Sequence, residues 1–233
     1  MSPILAGVAF VVTAGAVVSV SARESRLALV GVALALAGAP FLAQPLPPIS
    51  TLATRVIGAA LAAYILRAAL AASQHASDGH DREVVRGGSR LGWPTETLLA
   101  LAAWIVGVSV SLHLEALNPA NPVATSGDLL SALSAPSMAT GAGLAAILLG
   151  LVPALGSASA FRTTTGLLIL LQGVLLFRVG VAGPAGDLEQ LAGVALVVAA
   201  AIAGSVLLSL EHRSANEVDR QARPSIDVKA DPE

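Results

Sequence analysis

The sequence predicts an all-α polytopic membrane protein of about seven transmembrane helices, two parallel three-helix repeats joined by a fourth span. Three observations carry that expectation. Hydrophobic residues fill 55% of the 233 positions and charged residues only 12%, more apolar surface than one soluble core can hide. The apolar residues fall in continuous Ala- and Leu-rich segments close to the ~20 residues a helix needs to cross hydrocarbon, and far longer than the ~10-residue strands of a membrane barrel. A three-segment pattern also recurs along the chain.

The segments cover residues 3 to 20, 27 to 43, 51 to 72, 96 to 116, 138 to 155, 166 to 182 and 188 to 210. No basic stretch precedes the first, and no small-residue cleavage site leads into a soluble domain, so it reads as a retained helix rather than a signal peptide. Pro40 and Pro153 lie near segment ends, where a lost backbone bond is readily replaced. The third segment carries Arg55, Tyr64 and Arg67, the fourth Ser109 and Ser111, and the sixth Gln172 and Arg178. Arg55, Arg67 and Arg178 sit close enough to segment ends for long side chains to reach the headgroups, and Trp93 precedes the fourth segment; all four read as interface anchors.

These segments divide the chain into a first three-helix unit (1 to 72), a cytoplasmic loop (73 to 95), a linking span with an outer loop (96 to 137), a second three-helix unit (138 to 210) and a disordered, mixed-charge tail (211 to 233). Basic residues set the orientation. Arg23 and Arg26, Arg82, Arg86 and Arg90, Arg162, and Arg213, Arg220, Arg223 and Lys229 all follow odd-numbered segments. The positive-inside rule therefore puts the N-terminus outside and the C-terminus in the cytoplasm of a cell whose plasma membrane holds the protein.

The repeat is visible when SARESRLALVGVALALAGAPFL from Ser21 is set over SASAFRTTTGLLILLQGVLLFR from Ser157. Ser21, Ala22 and Arg26 fall on Ser157, Ala158 and Arg162, and Pro48 falls on Pro184, at an offset of 136. With one gap, Arg55 falls on Gln190 and Gly58 on Gly193. Because one span intervenes, the two units run the same way, a parallel rather than an inverted repeat.

Chemistry is excluded class by class. There is no cysteine, hence no disulfide, thiolate metal site, haem attachment or cysteine nucleophile. His75, His80, Asp78 and Asp81 share the cytoplasmic loop without metal-ligand spacing. No GxSxG, HExxH, paired carboxylates or phosphate loop is present, and no basic face suits a nucleic acid. The sequence thus offers no catalytic residue, no cofactor site and no metal site. Within the segments the carboxylates Glu96, Glu115 and Glu189 lie within about a turn of an end, and no Asp, Glu, Lys or His lies near a midplane. That argues against an autonomous proton or cation pump. The polar groups left inside, Gln172, Tyr64, Ser109 and Ser111, read as interhelical packing contacts or as remnants of a pathway. Gly31, Ala35, Gly38, Gly141, Gly143 and Gly150 permit close helix approach.

Arg162, the run GLLILLQGVLLFRVG, an outer Pro/Gly turn and GVALVVAAAIAGSVLLSLEHR together resemble the three-helix subunit K of respiratory NADH-quinone oxidoreductase. The whole chain, with a similar unit at its start, is more similar to hydrogenase-4 component E of complex-I-like hydrogenases and antiporter complexes. The resemblance covers roughly residues 5 to 72 and 140 to 225. It implies a membrane subunit with other membrane subunits as partners in an oxidoreductase complex. It also implies buried glutamates, and here the chain departs from the pattern: Gln172 stands at or beside the first position, and the second falls near Ala199. An amide can hydrogen-bond between helices but cannot relay a proton. The expected function is therefore a non-catalytic membrane subunit packed beside proton-translocating neighbours; the alternative is a stand-alone small-solute transporter or channel using the axis between the repeats.

Overall fold

The computed structural model describes residues 3–22, 24–43, 48–76, 93–116, 134–157 and 159–222. Among them the chain forms seven α-helices and no strand: α1 (Pro3–Ser21), α2 (Ser25–Gly38), α3 (Ile49–Ala76), α4 (Trp93–Ala116), α5 (Ala135–Gly156), α6 (Ala160–Ala182) and α7 (Asp187–Ala222). Six of these, all but α4, are long and apolar enough to cross a membrane; the apolar stretch found in α4 is the shorter Thr97–Val110. This is the architecture of a helical multi-pass membrane protein, since every backbone group at that depth is satisfied within its own helix.

The sequence-level boundaries move at four places, each for a local reason. α2 gives way to a 3-10 turn over Ala39–Leu42, because Pro40 has no N–H to continue the ladder. α6 begins six residues early and takes Arg162 into its first turn. There Thr164 and Thr165 return their hydroxyls to the carbonyls of Ala160 (2.7 Å) and Arg162 (3.0 Å), which lets buried threonines sit in a helix without unmet polar atoms. α6 ends at Gly183, which adopts φ 83°, the left-handed conformation that favours glycine. The largest change is in α7. It does not stop at residue 210 but continues to Ala222, so residues 211 to 222 of the expected disordered tail are helical. Strong helix formers and Arg213 placed four residues before Glu217 support that extension. The rest of the tail, the loop residues 77–92 with the histidine and aspartate group, and residues 117–133 lie outside the described residues.

Consecutive helices run antiparallel, so α1, α3, α5 and α7 all begin at one end of the bundle, called here the first end. α5 is the central helix. It packs against α6 on one side and α4 on the other, with α1 also in contact, while α3 lies mainly along α7. The α5–α6 seam is made by glycine. A methyl group on Gly150 would sit 2.6 Å from the carbonyl O of Gly166, one on Gly143 would sit 2.9 Å from that of Gly173, and one on Gly180 would sit 2.8 Å from that of Pro136. Gly166, Gly173 and Gly180 are each seven residues apart, the repeat that keeps one stripe of a slightly supercoiled helix on its partner. The opposite side of α5 meets α4 in the same manner, with a methyl on Gly107 placed 2.7 Å from the Cα of Gly141.

α1 and α2 form a second antiparallel pair whose landmarks recur at a fixed distance. α1 ends at Ser21 and α2 starts at Ser25; α5 ends at Gly156 and α6 starts at Ala160, both 135 residues on. Gly15 faces Gly31 as Gly150 faces Gly166, again 135 residues on. The helical register is thus one residue shorter than the 136 read from the turn sequences. The 135 separation also relates Arg55 to Gln190 and Gly58 to Gly193.

Candidate functional site

Four helices, α2, α3, α6 and α7, leave a cavity of ≈ 30 Å³ towards the first end of the bundle, lined among others by Arg55, Gly58, Gln172, Gln190, Gly193 and Val194. Arg55 and Gln190, Gly58 and Gly193, and Ala59 and Val194 are pairs separated by 135 residues, and all line it. The cavity therefore lies where the corresponding positions of the two units face each other. Gly58 leaves room for Val194, since a methyl there would come within 2.5 Å of the valine Cγ1.

Two amides meet this space. Gln172, on α6 roughly 15 Å from the end of its helix at 1.5 Å per residue, is 9% exposed. Gln190, in the first turn of α7, is 6% exposed. Its Nε2 donates to the carbonyl O of Ala185 at 2.7 Å, which fixes the amide, whereas its Oε1 is buried without a partner. Arg55 supplies a partly exposed cation. Nearby, Arg178 is paired with Glu189 at 2.5 Å across the α6–α7 turn and donates to Gly183 O at 2.9 Å. Glu189 also lies within electrostatic range of Arg55. One carboxylate thus serves two guanidinium groups at this end.

Towards the second end the space between the units closes. Ala62, Leu66, Leu168 and Ala201 are fully buried and Val197 is 5% exposed, a continuous apolar layer packed at the density of a protein interior. Beyond it, at the second end itself, Glu211 accepts from the Ala160 backbone N–H at 2.9 Å and Arg162 reaches the Ala22 carbonyl at 3.4 Å. These contacts tie the start of α6 to α7 and to α1.

The residues singled out from sequence do not gather at one place. Gln172 is inside, as a mid-helix amide should be. Tyr64 is 68% exposed and Ser109 is exposed with its hydroxyl bonded to its own helix at Ile105 O, 2.8 Å, so neither packs between helices of this chain. Ser111 and Trp93 belong to α4, with side chains outside the described set. Arg67 is exposed on α3, as an anchor would be; Arg178 instead makes the ion pair above. Gln190 was not expected at a site, although the repeat alignment had placed it beneath Arg55, a polar pair at one register. Among the described residues there is no group of three His, Cys, Asp or Glu side chains able to hold a metal ion.

Comparison with protein-family models, with curated proteins and with solved structures finds no match. The likeness to component E and subunit K accordingly rests on the residues quoted above.

Proposed function

We propose that this chain is a non-catalytic integral membrane subunit of a complex-I-like, energy-converting hydrogenase or antiporter-type assembly, packed beside subunits that translocate protons. The observation that carries the reading is the chemistry of the interior. Its buried polar residues are Ser19, Ser137, Thr140, Thr164, Thr165, Gln172 and Gln190, and none of them gains or loses a proton near neutral pH. A proton relay through hydrocarbon depends on titrating side chains, so translocation would belong to neighbours. The equal spacing of helix ends and glycine contacts supports a parallel duplication, and α4, less apolar than the other six helices, supports a linking span that completes a count of seven. The basic residues support a plasma-membrane orientation with the first end outside. The exposed Tyr64 and Ser109 suit faces covered by other subunits.

The alternative, a stand-alone small-solute channel, gains the cavity but meets the apolar layer of Leu66, Leu168 and Ala201 across its path. Native electrophoresis of gently solubilised membranes tests the choice. Co-migration with a large redox complex is the expected result, and solute flux by the isolated chain in liposomes overturns the subunit reading. Within such a complex, Gln172→Leu is expected to leave proton translocation intact; its loss would mean that the amide belongs to the pathway.

A further inference from the structure

We propose that the cavity between α2, α3, α6 and α7 is a built water site, entered from the first end and stopped at the level of Gln172. Its ligand is water rather than an ion or a lipid chain. The buried Oε1 of Gln190 is an acceptor with no donor among the described residues, and the amide cannot turn to relieve this because Nε2 is held by Ala185 O. Left dry, that oxygen forgoes a hydrogen bond it would have in water. An anion would meet this oxygen's lone pairs, and a cation would meet the Arg55 guanidinium on the same wall. Water satisfies both, accepting from Arg55 and donating to Gln190. Gln172, the third polar wall, can take either role. The volume of ≈ 30 Å³ holds about two waters, each with the several polar partners that an ordered buried water needs. Leu66, Leu168 and Ala201 supply the dry floor.

This assignment is independent of which complex, if any, holds the chain. The absence of cysteine allows a direct test on the full chain in lipid nanodiscs, with silver ion as a water-borne thiol probe small enough to enter. Single substitutions Gln172→Cys and Val194→Cys line the cavity, Ile57→Cys faces outward beside it on α3, and Leu168→Cys lies in the floor. Cavity thiols are expected to be protected by silver, against alkylation after denaturation, on the order of tenfold faster or more than the other two. Adding Gln190→Leu to Val194→Cys should slow that protection. Equal rates at Val194→Cys, Ile57→Cys and Leu168→Cys, or no effect of Gln190→Leu, would overturn the site. An experimental map of the unsubstituted chain that resolves water gives a check free of variants: density within hydrogen-bond distance of Gln190 Oε1 is expected, and its absence there would also overturn the site.

Discussion

The α5–α6 pair and the α1–α2 pair share a register but differ in how closely their backbones meet. In α5–α6 three glycines of one helix, Gly166, Gly173 and Gly180, lie directly on the backbone of the other. In α1–α2 only Gly15 and Gly31 make that contact; Gly38, the counterpart of Gly173, meets the side chain of Val12, and Val8 occupies the place of Gly143. Lipid tails are as apolar as leucine, so helix association in a membrane draws on close packing rather than on removal of surface from water. The pair with three backbone contacts is therefore the rigid centre, and the pair with one is the more adaptable.

The largest test of this contrast is a bulky substitution in the tight seam. Gly173→Leu should destabilise the chain by about 3 kcal/mol or more, the upper range for overpacking where only backbone can yield, read by thermal or denaturant unfolding in detergent. Gly38→Leu, at the corresponding place in the looser pair, should cost about 1–2 kcal/mol, because the flexible Val12 side chain can move aside; an equal cost at the two sites would break the comparison. Glu211→Gln keeps the hydrogen bond to Ala160 N and removes the charge that favours a helix N-terminus, with an expected loss of about 0.3–1 kcal/mol that shrinks in high salt. Glu189→Gln, half exposed beside Arg178, should change stability by about 0.2–1 kcal/mol, also salt-dependent. Gly7→Ala sharpens the comparison from the other side. A methyl there meets nothing within 4 Å, so helix propensity alone should stabilise the chain by up to about 1 kcal/mol.

Element existence was legible in the sequence because continuous hydropathy measures length, and length is what a bilayer dictates. The direction each helix faces was not. In a membrane both the buried and the outer faces are apolar, so Tyr64 and Ser109 gave no signal that they point away from the bundle. The glycines did carry such a signal. Gly143 and Gly150 were singled out for close approach and lie in the seam, and the seven-residue spacing of Gly166, Gly173 and Gly180 would have identified the partner face of α6. Gln172 was legible as an interior amide because a lone polar group amid leucines seeks protein. Gln190 was missed because a polar residue near a segment end has an easy place in the headgroups, and only the packing of α3 on α7 makes it buried. The helical tail was missed for the opposite reason: mixed charge with two prolines reads as disorder, whereas both prolines, Pro224 and Pro232, lie beyond Ala222.

α7 is a single helix of 36 residues, about 54 Å long at 1.5 Å per residue, nearly twice the ~30 Å thickness of a hydrocarbon layer. Its final turns stand clear of the bilayer as a stiff lever with no joint between arm and anchor. Torque applied to the arm is passed straight to the Glu211–Ala160 link and from there to the base of α6, the helix that carries both the glycine seam and Gln172.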